Sequence, residues 1–159
     1  MATTSELIAD AADVLNPAVV KVVMDDQGYA SSFSRNPIPW PNQAVTKHGS
    51  IEAALRNEPA LLFSFRKHTG LYVYQREFLL DFAGWPQSES EHRESLEQLR
   101  ALGRGVKIKV ITAAAPSIGV DTMADLERVR ALVELDTQIA VSGIGAQARR
   151  LNDGSELGD

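Results

Sequence analysis

A β-hairpin near the start of the chain is the feature that most constrains the fold. Residues 19–24 are rich in β-branched side chains, residues 25–28 read Asp-Asp-Gln-Gly, and residues 29–33 return as a second extended segment. A polar loop closed by glycine between two such runs is typical of a hairpin connection. The chain is therefore expected to contain a sheet.

Other patterns predict strands mixed with helices. We expect helices at residues 5–15, 76–83, from Ser88 through Leu102 and from Thr122, and extended segments at residues 61–65, 69–74 and 106–112. A proline-rich connection covers residues 37–59, with one or two helical turns at residues 51–56. Mixed elements of this kind indicate an α/β fold built on a sheet layer. We predict a single α/β domain over residues 1–135 and a flexible polar tail over residues 136–159.

Composition excludes several classes of protein. With 159 residues the chain is long enough for one core, and its formal charge of −5 with no basic run argues against nucleic acid and anionic membranes as partners. The absence of cysteine excludes disulfides and thiolate metal sites. No apolar run reaches a bilayer-spanning length, and the first residues do not form a signal peptide. We expect a cytoplasmic protein with no nucleic-acid or membrane partner.

Asp121 stands at the junction of a loop and a predicted helix. Met123, Leu126 and Val129 recur on one helical face, and Thr122 is a natural N-cap with Asp125 three positions later. Asp121 would then lie just outside the positive end of the helix. A carboxylate there either holds Mg²⁺ or only interacts favourably with the helix dipole.

Several segments in a fixed order resemble one enzyme family. They are residues 16–23 (Asn-Pro-Ala-Val-Val-Lys-Val-Val), 33–40 (Phe-Ser-Arg-Asn-Pro-Ile-Pro-Trp), 67–74 (Lys-His-Thr-Gly-Leu-Tyr-Val-Tyr), 94–102 (Glu-Ser-Leu-Glu-Gln-Leu-Arg-Ala-Leu) and 119–130, which opens with Gly-Val-Asp-Thr. Together they resemble the C-terminal half of 3-deoxy-manno-octulosonate cytidylyltransferases, the CMP-Kdo synthetases. The resemblance extends from near Asn16 to near Val133.

The resemblance implies a fold and a reaction. The fold would be part of a nucleotide-diphospho-sugar transferase-like mixed sheet flanked by helices, without the N-terminal nucleotide-binding strands and the loop that grips the CTP phosphates. The reaction would transfer CMP from CTP to the acid sugar Kdo for lipopolysaccharide synthesis, with Mg²⁺ as cofactor and Asp121 as one ligand. The family also implies a homodimer, and the missing segments suggest a separate N-terminal half as a partner.

His68 and Tyr72 match family positions that contact the sugar. On an extended segment, residues 68 and 72 project to one side, and imidazole and phenol offer the donors and acceptors that a polyhydroxylated acid needs. Without the resemblance, the favoured interpretation is that Tyr72 is half-buried sheet packing and His68 a satisfied polar group at a strand end.

Glu97, Gln98 and Arg35 complete the predicted substrate site. Glu97 and Gln98 match the Glu-Gln pair on the helix that faces the sugar in the family, although their spacing also suits a solvated acidic face. Arg35 either binds a substrate carboxylate or phosphate, or closes a subunit contact in the dimer, and we favour the dimer role slightly.

Two classes of function follow from the sequence. In the first, the chain is a CMP-Kdo synthetase polypeptide, incomplete and inactive without its other half. In the second, it is a non-catalytic dimerisation or acid-sugar-binding module derived from such an enzyme. Cytidylyltransferases acting on sialic acid are a neighbouring alternative within the first class.

Overall fold

The computed structural model describes residues 1–114, 117, 119–120 and 122–135. These residues belong to two compact units, Met1–Pro116 and Ser117–Asp159. Asp121 and the predicted tail at residues 136–159 lie outside the described residues, so the predicted domain boundary at residue 135 stays a prediction. Within the part that is described, no helix is long and apolar enough to cross a membrane.

A mixed five-stranded sheet forms the centre of the first unit. Its strands are β1 (Ala2–Leu7), β2 (Lys21–Met24), β3 (Ala30–Ser34), β4 (Arg66–Val73) and β5 (Lys109–Thr112). The strand order is β3-β2-β4-β1-β5, with β1 and β5 parallel and the other neighbours antiparallel. An antiparallel bridge between Tyr29 and Lys109 also joins the hairpin to β5. This mixed sheet with flanking helices confirms the predicted α/β class.

The hairpin forms where the sequence predicts it. The Asp25 carboxylate accepts hydrogen bonds from the backbone N–H groups of Gln27 and Tyr29, at 2.9 and 2.8 Å. Gly28 has a φ of 75°, a conformation that glycine adopts without a steric penalty. Local chemistry alone therefore sets the turn between β2 and β3.

Six α-helices and one 3₁₀ helix accompany the described part of the sheet. The α-helices are α1 (Ala11–Leu15), α2 (Asn42–His48), α3 (Ile51–Asn57), α4 (Arg76–Ala83), α5 (Glu89–Glu94) and α6 (Gln98–Gly103). One buried cluster joins the hairpin to α4, α6 and β5 through Val22, Phe33, Phe82, Leu99 and Ile108. A second cluster packs the segment before β4 against α1 and α3 through Ile8, Val14, Ile51, Leu55 and Phe65.

The predicted helix at residues 5–15 is wrong over its first part. Residues 2–7 form β1, the strand between β4 and β5, and only Ala11–Leu15 are helical. Ser5 is completely buried within this strand. The backbone hydrogen bonds of β1 come from strands distant in sequence, so local apolar spacing could not reveal them.

Two further predictions need correction. The extended segment predicted at residues 61–65 is wrong, because residues 61–64 lie in a 3₁₀ helix, Pro59–Ser64. The first position of this helix suits the fixed φ of Pro59. The helix predicted from Ser88 through Leu102 is broken into α5 and α6 at Ser95, which adopts a left-handed φ of 54°. The Ser88–Glu91 capping box and the helix at residues 76–83 are confirmed.

The second unit contains one described helix, α7 (residues 123–135). Asp125 N–H donates to the Thr122 hydroxyl at 3.2 Å, and the Asp125 carboxylate accepts from Thr122 N–H at 3.0 Å. Each side chain therefore accepts a hydrogen bond from the backbone N–H of the other residue, as in a capping box. The predicted start of this helix at Thr122 is confirmed.

Candidate functional site

Strand β4 brings His68 and Tyr72 together on one face of the sheet. Along β1, Thr3 pairs with Tyr72 and Ser5 pairs with His68, so a two-residue step on β1 faces a four-residue step on β4. The two additional residues of β4 are accommodated at Gly70, which has a φ of 77° and is exposed. Because His68 and Tyr72 are four positions apart, an even step along the strand, both side chains stay on the same face. Their rings lie 5.2 Å apart between centroids.

His68 is held between a hydroxyl and two aromatic rings. Its Nε2 lies 2.7 Å from the Thr3 hydroxyl oxygen, and its ring meets Phe33 edge-on with centroids 5.1 Å apart. Burial lowers the pKa of His68 to about 4, because an apolar environment disfavours the charged imidazolium. The imidazole is therefore neutral near pH 7.

The phenols of Tyr72 and Tyr74 lie beside the Glu97 carboxylate. Burial raises the pKa of Tyr72, and the Glu97 charge and the Tyr74 phenol raise it further. The pKa of Tyr74 is raised by burial and then by Glu97. Glu97 therefore lies within electrostatic range of both phenols. Both phenols stay protonated and can donate hydrogen bonds.

Gln98 begins α6 directly after Glu97 and is only 2 % exposed. The chain reaches this point through the left-handed Ser95, and the adjacent Leu96 and Leu99 anchor the segment in the core. In the part of the chain that the structure describes, no hydrogen bond is made by the Gln98 amide, the Glu97 carboxylate or the Tyr72 hydroxyl. Gln98 is buried, Tyr72 is half-buried and Glu97 is exposed. Polar groups whose hydrogen-bonding capacity the described residues leave unused are suited to a polar ligand.

The Arg35 side chain donates hydrogen bonds to backbone carbonyl groups of its own chain. Its guanidinium donates to the carbonyl oxygens of Glu94 at 2.8 Å, Pro17 at 3.0 Å and Ser95 at 3.5 Å. The Glu94 carboxylate in turn accepts from Arg35 N–H at 2.9 Å. These bonds fasten the end of β3 to the junction between α5 and α6. The predicted substrate or dimer role of Arg35 stays a prediction.

The predicted Mg²⁺ site has no counterpart among the described residues. Asp121 lies outside them, and the described residues contain no group of three or more His, Asp or Glu side chains that could hold a metal ion. The Mg²⁺ site at Asp121 therefore stays a prediction.

Sequence reasoning missed the contribution of β1 to this face. Thr3 contacts His68, and Ser5, which pairs with His68 in the ladder, has a buried hydroxyl with no hydrogen-bond partner among the described residues. Alternating hydroxyl residues at positions 3 and 5 are a weak strand signal. The apolar residues from Leu7 onward hid that signal by suggesting a helix.

Comparison with known proteins identifies relatives of one kind. The family model described as cytidylyltransferase matches residues 1–108. The 3-deoxy-manno-octulosonate cytidylyltransferase of Pseudomonas syringae pv. syringae (strain B728a) is 47 % identical over 135 residues, which cover 84 % of this chain and 50 % of that protein. The enzyme of the same name from Pseudomonas syringae pv. tomato (strain ATCC BAA-871 / DC3000) is 46 % identical with the same coverage.

A solved structure supports the same relationship. It is CMP:2-keto-3-deoxy-manno-octonic acid synthetase complexed with CTP, and it superimposes with a TM-score of 0.68 at 38 % identity. The match covers 85 % of this chain and 49 % of the solved chain. The chain thus spans about half the length of the relatives it matches. The resemblance drawn from the sequence motifs is confirmed.

Proposed function

Because this chain belongs to the cytidylyltransferase family, we propose that it serves the transfer of CMP from CTP to Kdo, giving CMP-Kdo and pyrophosphate for lipopolysaccharide synthesis. Its own contribution is the acid-sugar subsite formed by His68, Tyr72, Glu97 and Gln98. The observation that carries this assignment is the hydrogen-bonding capacity that His68 Nδ1 and the other three side chains leave unused among the described residues, next to the half-buried rings of His68 and Tyr72.

The chemistry of these four groups suits a polyhydroxylated acid. Neutral His68 has one donor and one acceptor nitrogen, and Tyr72 offers a protonated hydroxyl. Glu97 accepts hydrogen bonds from sugar hydroxyls, and the Gln98 amide both donates and accepts. A sugar ring can also pack its apolar face against the His68 and Tyr72 rings. Several fixed polar groups on a rigid scaffold orient a small ligand more sharply than charge alone.

We propose that catalysis needs parts beyond this chain. The chain carries no segment matching the basic, glycine-containing loop that the family resemblance assigns to the CTP phosphates. It also spans only half the length of its relatives. The N-terminal half of the family fold would supply the nucleotide site. Without it, we expect sugar binding but no pyrophosphate release.

Magnesium is proposed as the cofactor of the assembled enzyme, with Asp121 as a ligand. When bound, the ion would offset phosphate charge on CTP. Asp121→Asn is expected to abolish Mg²⁺-dependent activity in an assembly with the other half, with little change in thermal stability. Asp125→Asn is the matched control, because Asp125 caps α7 and its loss is expected to cost stability first. Equal loss of stability in both variants would make Asp121 a structural residue.

Kdo binding to the purified chain tests the proposed subsite. Tyr72→Phe removes one hydroxyl and is expected to weaken the affinity for Kdo about tenfold, since one lost hydrogen bond costs roughly 1.4 kcal/mol. Tyr29→Phe is the matched control, because Tyr29 lies at the hairpin, where its ring contacts Lys107 and Lys109. Isothermal titration calorimetry measures both. Equal affinities for the two variants would contradict the subsite.

A binding module without catalysis is the second candidate, favoured by the half-length match. Two assays separate the candidates. Pyrophosphate release from CTP and Kdo on addition of the N-terminal half would establish the enzyme, whereas Kdo binding without release would establish the module. Sialic acid serves as the comparison ligand in the calorimetry, and tighter binding of sialic acid would reassign the sugar.

A further inference from the structure

The Thr3 hydroxyl lies between two groups that compete for its single proton. Its oxygen is 2.7 Å from the Leu71 carbonyl oxygen and 2.7 Å from His68 Nε2. A carbonyl oxygen only accepts hydrogen bonds, so at this distance the hydroxyl proton must point to Leu71. If the proton pointed to His68 instead, two oxygen atoms would face each other at hydrogen-bonding distance with no proton between them. Thr3 therefore presents a lone pair to the imidazole.

The protonation of His68 follows from this arrangement. To bond with a lone pair, Nε2 must carry a hydrogen, and a neutral imidazole carries only one. The low pKa caused by burial keeps the ring neutral near pH 7. Nδ1 is then an acceptor, and it makes no hydrogen bond to the described residues.

We propose that Thr3 is a positioning residue that fixes His68 in the Nε2–H form, so that Nδ1 accepts a hydrogen bond from a hydroxyl group of the bound sugar. This rests on the proposed function of His68 in the sugar subsite. It also narrows the chemistry of the contact. A carboxylate or phosphate oxygen is itself an acceptor, and its lone pairs would repel that of Nδ1. His68 thus recognises a hydroxyl group of the acid sugar and not its carboxylate.

The fold makes this arrangement rigid. Thr3 is 2 % exposed on β1, which is bonded on both sides to β4 and β5. Leu71 follows Gly70 in the irregular stretch of β4, where the register with β1 shifts. The same irregularity that keeps His68 and Tyr72 on one face therefore also places the Leu71 carbonyl next to Thr3.

The test uses nitrogen chemical shifts, which report tautomers without any activity assay. In the chain labelled with ¹⁵N-histidine, long-range ¹H–¹⁵N correlation spectra distinguish a protonated ring nitrogen from an acceptor nitrogen. The His68→Gln spectrum assigns the His68 signals among those of the three histidines. We expect Nε2 to be protonated without ligand. On addition of Kdo, the Nδ1 signal should shift while Nε2 stays protonated.

Substitutions at Thr3 separate positioning from folding. Thr3→Ser keeps the hydroxyl and is expected to retain the spectrum and bind Kdo within about twofold of the unsubstituted chain. Thr3→Val keeps the shape but removes the lone pair. It is expected to expose the Nε2 proton to faster solvent exchange and to weaken Kdo binding about tenfold. Backbone amide spectra establish that each variant is folded, and a Thr3→Val variant with unchanged proton exchange and unchanged affinity would overturn the proposal.

The remaining outcomes are also decisive. A protonated Nδ1 in the unliganded chain, or a Kdo-induced shift confined to Nε2, overturns the role of Thr3 while leaving the sugar subsite in place. Failure of the unsubstituted chain to bind Kdo overturns the proposed function instead. The ligand-free spectrum then still decides whether Thr3 sets the tautomer.

Discussion

At the scale of single residues, the contrast between satisfied and unsatisfied polar groups distinguishes structure from function. Lys21 is completely buried, yet its ammonium donates to the carbonyl oxygens of Asn16, Val19 and Arg35 at 2.6 to 3.0 Å. The fold alone therefore accounts for the burial of the Lys21 ammonium. Gln98 is almost as deeply buried and makes no comparable bond among the described residues. The Gln98 amide therefore keeps hydrogen-bonding capacity that the fold does not use and that a ligand could use.

The low pKa of His68 predicts how stability depends on pH. Unfolding restores the pKa from about 4 to its ordinary value of 6.5, so between these values the unfolded chain binds more protons than the folded chain. The free energy of unfolding is therefore expected to fall as pH drops from 6.5 to 4, by up to about 1 kcal/mol per pH unit from this residue. The dependence fades as pH rises through 6.5 and is lost by about pH 8, where the histidine is neutral in both the folded and the unfolded chain.

Urea denaturation of the chain and of its His68→Gln variant, between pH 4 and 8, measures this contribution. Other titrating groups are common to both proteins, so the difference in unfolding free energy isolates His68. A difference that stays constant across the range would mean that His68 is not protected from protonation by burial.

At the scale of elements, the break between α5 and α6 sets where Glu97 and Gln98 stand. Ser95 closes α5 in a left-handed conformation that costs a non-glycine residue about 1 kcal/mol. Ser95→Gly is expected to raise the free energy of unfolding by about that amount, with Kdo affinity unchanged because the backbone path is kept. Thermal and urea denaturation measure the change.

The same substitution one turn earlier is the matched control. Ser90 is exposed within α5, and Ser90→Gly is expected to lower stability by about 0.5 kcal/mol, because glycine is unfavourable inside a helix. If both variants were destabilised equally, Ser95 would carry no strain, and the break would have another cause.

Elements with local signals were predictable, and those that depend on distant partners were not. The hairpin, α4 and the α5 capping box each rest on residues within a few positions of one another. β1 depends on pairing with β4, about 60 to 70 residues away, whereas its local apolar spacing predicts a helix. At the site, the motif resemblance led to His68 and Tyr72. Thr3 could not be found in this way, because only the sheet register places it beside His68.

At the scale of the whole molecule, the two faces of the sheet differ in how well they are covered. On the face with Thr3, His68 and Tyr72, the Phe33 ring of β3 contacts His68 edge-on, and Thr3 is 2 % exposed. On the opposite face, Val73 pairs with Ala2 and Ile111 pairs with Thr4, yet Val73 is 65 % and Ile111 is 54 % exposed. These exposed aliphatic residues stand on β4 and β5, the two strands that flank β1, and predict a surface suited to contact with another chain.

Self-association through this second face is the expected consequence for the chain on its own. The double variant Val73→Lys with Ile111→Lys places two charges on the face and should weaken association at least about tenfold, since burying an unpaired ammonium is costly. Sedimentation velocity over a range of concentrations measures this. Gln43→Lys, on the exposed side of α2, controls for added charge and should leave the sedimentation coefficient unchanged. A chain that sediments as a monomer before any substitution would contradict both the role of this face and the predicted homodimer.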